Sequence, residues 1–265
     1  MIPLTLIKLG GSIVTDKAKH EHYRGQHVRE VAKLLSTYFT QRNEACLIGH
    51  GQGSFGHPAV KKNQQHFSDR SHFAPQAMAE MLRVVTHLHE RILDDLVRER
   101  VPAISFRFSQ QYVVDGAAEA RVDLTLLEAL LDLRMVPVTT GDILVDTEVG
   151  NRVLSTEKIF MALIRALQHS DKYRVERVAY VTQVAGVLDK AGKVIERIGA
   201  DEEVDQSWFF AQADQADVTG AMKHKVEAAQ AVAQLGIPVA ILSANDPKNL
   251  DRYLRNQAWI GTRIA

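Results

Sequence analysis

Four clusters of residues carry the types and spacing that phosphate chemistry requires. The most telling reads Gly49-His-Gly-Gln-Gly-Ser-Phe-Gly-His57-Pro58. Gly51, Gly53 and Gly56 let backbone approach a ligand that side chains would exclude. Successive amides in such a turn converge on an anion, and His57 stands at the exit to add a hydrogen bond or a charge. A second cluster is Lys8-Leu-Gly10-Gly11-Ser12, a compact cation followed by small residues that clear space for phosphate oxygens, with Lys17 nine residues on. A third, Asp217-Val-Thr-Gly220-Ala221-Met-Lys-His-Lys225, opens a helix whose free amides and positive dipole end suit an anion. The fourth, Ser155-Thr-Glu157, caps a helix and offers a carboxylate able to hold lysines in place.

Other readings compete with these. Gly51-x-Gly53-x-x-Gly56 also matches the dinucleotide-binding fingerprint, which needs a helix at the last glycine, a second strand and an acidic residue about 20 positions on. Asp69 has that distance, but it follows the polar stretch 61–66, which has no strand character. A glycine-rich turn without a ligand is the plain alternative. Cys46, the single cysteine, reads as a small buried hydrophobe rather than a nucleophile. His20, His22 and His27 in a polar loop, and His87 and His89 on a helix, read as solvated or packed imidazoles rather than metal ligands.

Rigid elements must position these clusters. Apolar runs at 4–9, 45–48, 101–106, 135–139, 175–182 and 238–242 have strand length, and 260–264 closes the chain. Helical periodicity covers 28–39, 76–100, 124–133, 158–168 and 217–235, with hairpins around 146–151 and 187–195. Strands alternating with helices predict an α/β fold, a mostly parallel sheet flanked by helices. A soft functional boundary falls near residue 170, dividing the chain into 1–170 and 171–265 with one continuous sheet across both. The 265 residues suffice for a sizeable core. Lys+Arg and Asp+Glu balance at 32 each, which gives no pull toward nucleic acid or membrane. Met1 runs almost directly into the first strand, so a cytoplasmic location is expected.

Taken in order, Lys8-Leu-Gly-Gly-Ser-Ile-Val-Thr-Asp-Lys17, Gly-Ser-Phe-Gly-His57, Thr140-Gly-Asp142, Ser155-Thr-Glu157 and Asp217-Val-Thr-Gly-Ala-Met-x-x-Lys225 resemble the amino-acid kinase superfamily. Within it they look most like the isopentenyl phosphate kinases, and the resemblance runs from Lys8 to Thr262. It implies a three-layer α/β/α sandwich in which residues 1–170 bind a phosphate acceptor and 171–265 bind ATP, with Mg2+ accompanying the nucleotide and a homodimer as the assembly. By that resemblance Lys8 and Lys225 neutralise the transferring phosphoryl group, Gly10, Gly11 and Ser12 give it amides, Lys17 reaches the phosphates from the other side, and Glu157 orients the lysines. Ser54, Thr182, Gly186, Asp217, Gly220 and Ala221 complete the ATP side. Gly53, Ser54 and His57 hold the acceptor phosphate, and Gly141 and Asp142 close that site. The implied reaction is phosphorylation of isopentenyl phosphate. A kinase of another phosphate or phosphonate such as fosfomycin, and a non-catalytic nucleotide-binding member of the fold, are the alternatives. Three departures stand out: Gln52 where many relatives have glycine, Ala221 for a second glycine, and Gln183 and Ala185 where aspartates are common.

Overall fold

A computed structural model describes residues 1–41, 44–67, 69–116, 122–203 and 218–265, the last from 218 to 221 by backbone alone. Its strands are β1 (Ile2–Leu9), β2 (Ala45–His50), β3 (Ala103–Ser105), β4 (Val136–Thr140), β5 (Asp142–Asp146), β6 (Gly150–Leu154), β7 (Tyr173–Thr182), β8 (Arg197–Ile198), β9 (Val239–Ser243) and β10 (Gly261–Ile264). The helices are α1 (Gly11–Val14), α2 (Gly25–Thr40), α3 (Gly53–Lys62), α4 (Pro75–Arg98), α5 (Thr125–Asp132), α6 (Thr156–Leu167), α7 (Val218–Ala233) and α8 (Pro247–Leu254). Eight strands form one sheet in the order β3-β4-β2-β1-β7-β9-β10-β8, and β5 and β6 form a separate antiparallel hairpin. Apart from the β9–β10 pair the large sheet is parallel.

The strand pattern explains the layers. Side chains alternate between faces with a period of two. On β1, Leu4 and Leu6 enter a core shared with α5, α6 and α7, whereas Ile7 and Leu9 enter one shared with α2, α4 and α8. Helix α4 follows from Met81, Val85, Leu88, Ile92 and Leu96, all buried, which recur at helical spacing behind Pro75 at its first turn. Each such side chain contributes about 1.5–3 kcal/mol on burial. Among the described residues no helix is long and apolar enough to cross a membrane.

Two elements differ from the sequence expectation, and the segment between them agrees with it. The glycine run is not a loop up to His57: α3 opens inside it, at Gly53. After α3 the chain makes short 3-10 turns at Gln64–His66 and Arg70–His72, in line with the polar stretch 61–66 that lacks strand character. Helix α8, to which the sequence reading assigns nothing, is capped by the Asp246 carboxylate accepting from Lys248 N at 3.0 Å.

The chain leaves β1 toward β2 and returns as β7 on the other side of β1. A parallel sheet opens a crevice at the carboxyl ends of its strands at such a reversal, and ligands settle there.

Candidate active site

Lys8 is the last inward residue on the α6–α7 face of β1, after Leu4 and Leu6. Its ammonium donates to Glu157 Oε1 in the first turn of α6. That turn is held by Ser155, whose hydroxyl accepts from Lys158 N at 3.3 Å. Burial acts to raise the Glu157 pKa, but the charge and hydrogen bond of Lys8, with Lys225 behind it, bring it down to about 2. Lys225 on α7 moves the other way. Burial first, then the charge of Lys8, lower it to about 8 against the pull of Glu157, and Lys17 adds to the repulsion.

Lys8 and Lys225 therefore both act electrostatically on the Glu157 carboxylate, and Lys17 acts on Lys225. A cation whose pKa is depressed by burial and like charge gains most from an anion that compensates it. The cluster is built to receive negative charge.

The second part of the site is where β2 turns into α3. Gly53 has φ +46°, a conformation side-chain-bearing residues resist, and a Cβ there would lie 1.9 Å from Thr15 Oγ1. The Thr15 hydroxyl donates to Gly11 O at 2.7 Å and accepts from Ser54 N at 3.0 Å, tying the two glycine turns together. Pro58 has no N–H to offer the Ser54 carbonyl, which accepts instead from Glu21 N at 3.3 Å. Lys17, Lys19, His20, Gly53, Ser54 and His57 line a cavity of about 300 Å³. A larger cavity of about 570 Å³ lies at the opposite edge, around Leu35, Phe39, Cys46 and Tyr173, away from these lysines.

The expected site residues thus fall into two groups along one sheet edge: Lys8, Glu157 and Lys225, and Lys17, Gly53, Ser54 and His57. Gly11 lies against Gly53, where a Cβ on Gly11 would come within 2.7 Å of Gly53 N. Ser12 sits in α1 beside them. Several residues depart from expectation. The Gly10 amide is spent on Val181 O at 2.8 Å, so it does not offer a free donor. Asp142 is buried, 1% exposed. Both its oxygens are engaged, by the Arg107 guanidinium, by Ser109 N at 2.9 Å and by Ile143 N at 3.0 Å. A buried carboxylate neutralised this way holds loops in place and leaves no charge to repel a phosphate. Gly141 lies beside it, its carbonyl 3.4 Å from the Gln52 amide. Thr182 ends β7 with its hydroxyl donated to Val184 O at 2.8 Å, and a Cβ on Gly186 would come within 2.7 Å of Thr262 Oγ1. Asp217 lies outside the described residues, and Gly220 and Ala221 are placed only as backbone in the first turn of α7.

Sequence reasoning missed three buried pairings. The Gln52 side chain turns inward and donates to Thr140 Oγ1 at 2.5 Å, joining the glycine turn to the end of β4. His50 and His89 are buried and bonded ring to ring at 2.9 Å, with Ser105 Oγ 3.0 Å from His89 Nε2. Burial keeps both imidazoles neutral, His89 with a pKa of about 3. Arg107 with Asp142 is the third. The pairing of His50 with His89 spans 39 residues, and periodicity on either element carries no sign of it.

The sequence profile of the amino acid kinase family matches residues 3–243. The chain belongs to the amino acid kinase family. The similarity continues to curated members: the isopentenyl phosphate kinase of Methanocaldococcus jannaschii is 31% identical over 84% of this chain and 85% of the relative. That of Methanothermobacter thermautotrophicus is 26% identical over 99% of both. An X-ray structure of an isopentenyl phosphate kinase superposes with a TM-score of 0.80 at 24% identity, covering 99% of this chain and all of the other, which establishes the shared fold. The nicotinamide reading of the glycine run is thereby set aside. This amino acid kinase family member is a phosphotransferase.

Proposed function

We propose that this chain transfers the γ-phosphoryl group of ATP to isopentenyl phosphate, giving isopentenyl diphosphate. The observation that carries the proposal is the juxtaposition, on one sheet edge, of the Lys8–Glu157–Lys225 cluster with the His57-lined cavity. Its curated relatives named isopentenyl phosphate kinase supply the acceptor.

Phosphoryl transfer needs little covalent help from protein; positioning and neutralisation of charge do most of the work. In this reading Lys8 and Lys225 neutralise the transferring group, and Glu157 keeps the two ammonium groups from separating. Lys17 approaches from the cavity side. The Ser54 hydroxyl, which accepts from His22 N at 3.3 Å, keeps its proton to donate to the acceptor phosphate, together with His57. A phosphate monoester is already an anion at neutral pH, so His57 serves as its ligand and no general base is required. ATP lies over the α7 side, toward Thr182 and Gly186, and Asp217, Gly220 and Ala221 belong to its site. Mg2+ is part of the proposal as a companion of the nucleotide, held through phosphate oxygens and water. Among the described residues no group of His, Cys, Asp or Glu forms a protein cage for it. A homodimer and a cytoplasmic location are proposed on the family resemblance.

The test is ADP release measured with a panel of acceptors. Turnover with isopentenyl phosphate is expected; turnover with a small amino acid or fosfomycin, and none with isopentenyl phosphate, overturns the assignment. In the same assay His57→Gln is expected to raise the acceptor KM about tenfold or more while leaving the ATP KM within twofold, the loss of one hydrogen bond to a charged group.

The depressed Lys225 pKa also sets a pH dependence. The lysine acts as a cation, so kcat/KM for ATP, which reports the free enzyme, falls as pH rises through about 8. A profile flat to pH 10 would show that Lys225 either keeps an ordinary pKa or plays no part.

A further inference from the structure

Tyr180 is a large buried polar residue next to the lysine cluster. It pairs in register with Lys8 across β1 and β7 and shares its face, with the Lys8 ammonium 5.9 Å from the ring centroid. The side chain is 1% exposed, packed in the core that holds Phe160, Met222 and Val226. Among the described residues its hydroxyl has no hydrogen-bond partner. Buried hydroxyls are nearly always bonded, and one left alone is costly. Burial keeps the proton on the phenol oxygen, and the charge of the Glu157 carboxylate acts in the same direction. The hydroxyl is thus a standing donor on the strand face of Lys8, the present donor to Glu157.

We propose that Tyr180 is a positioning residue for phosphate binding: when the ATP phosphates draw the Lys8 ammonium away, the Tyr180 hydroxyl bonds the Glu157 carboxylate in its place. The role rests on the phosphoryl-transfer reading above. The carboxylate is most exposed to repulsion when an anionic phosphate arrives, and a neutral donor at its side offsets that repulsion without adding a charge. Among the described residues the same hydroxyl has no partner in the free protein, so its benefit appears only with nucleotide bound. A polar group that weakens the empty state and serves the loaded one is a recurring compromise at functional sites.

Tyr180→Phe removes the oxygen and keeps the ring. The free variant is expected to melt no lower than the wild type. Its ATP dissociation constant, measured by calorimetry and by the ATP-induced rise in Tm, is expected to increase about tenfold, as for loss of a hydrogen bond to a charged group. AMP, which has no phosphate to reach Lys8, is expected to bind both proteins alike, and the KM for isopentenyl phosphate to stay within twofold. An ATP affinity within twofold of the wild type overturns the proposal. So does an equal loss for AMP, and so does a free variant melting several degrees lower, which would show that the hydroxyl is already bonded. A wild type that binds ATP yet turns over no isopentenyl phosphate overturns the acceptor assignment alone. One that binds no ATP overturns the phosphoryl-transfer reading and Tyr180 with it.

Discussion

Replacing Lys8 with methionine is expected to lower kcat by about 10²–10³-fold, the cost of removing one donor aimed at developing charge in a water-poor site. The methylene stem is nearly preserved, so the α6–α7 core keeps its packing around Leu6, Phe160 and Val226. What changes is electrostatic. Glu157 loses the ammonium whose charge and hydrogen bond hold its pKa near 2 against burial. Its folded pKa rises, and the stability gained from its ionised form shrinks in the window above the carboxylate's ordinary pKa. Lys225 loses the repulsion of Lys8, the second cause of its depression after burial, while Glu157 continues to pull it upward. The basic limb of kcat/KM for ATP therefore moves above pH 8 in the variant, even as the rate falls. ADP release across pH 6–10 checks both at once. A variant with kcat within tenfold of the wild type, or with its basic limb unmoved, would remove Lys8 from the reacting phosphates.

How much of this was legible in the sequence depends on the range of each interaction. Lys8 near the end of an apolar run of strand length, the Ser155 cap and the spacing of Met81, Val85, Leu88 and Ile92 are local patterns, and local patterns are what a sequence reading detects. The start of α3 was not legible, because Gly53, Gly56 and Pro58 are poor helix formers. That helix stands on tertiary support: Phe55 is buried beneath it, Thr15 receives its Ser54 amide, and Glu21 replaces the hydrogen bond that Pro58 cannot make. Helix α8 had a readable signal, Asp246-Pro247 followed by Leu250, Tyr253 and Leu254 at helical spacing. Asp142 shows the opposite limit. As a motif member it suggested a wall of the acceptor site, and only the folded position of Arg107, 35 residues away, reveals where its charge goes. Tyr180 was legible as a strand residue and no more. Its place beside Lys8 is a matter of register between β1 and β7, which sequence periodicity leaves open.

Gly53→Ala carries the second large effect, and its size follows from space rather than charge. A side chain at φ +46° costs about 1–2 kcal/mol in strain by itself. The new Cβ would also stand 1.9 Å from Thr15 Oγ1 and 2.6 Å from Gly11 O, closer than atoms can pack. Thr15 cannot simply turn aside, because its hydroxyl bridges Gly11 O and Ser54 N. Relief must come from moving one glycine turn away from the other, with overpacking adding about 1–3 kcal/mol. The expected total of about 2–5 kcal/mol lowers Tm by roughly 5–15 °C in a protein of this size. Because the two turns carry Ser54 on one side and follow Lys8 on the other, KM for both substrates is expected to rise. Gly192→Ala is the control. Gly192 also has a positive φ, +77°, but no atom lies within 4 Å of its Cβ position, so strain alone should act there, with kinetics unchanged. Thermal melts and initial rates of the two variants side by side decide the matter. If Gly53→Ala melts and turns over like Gly192→Ala, the contact between the two glycine turns is not what holds the donor and acceptor halves of the site in register.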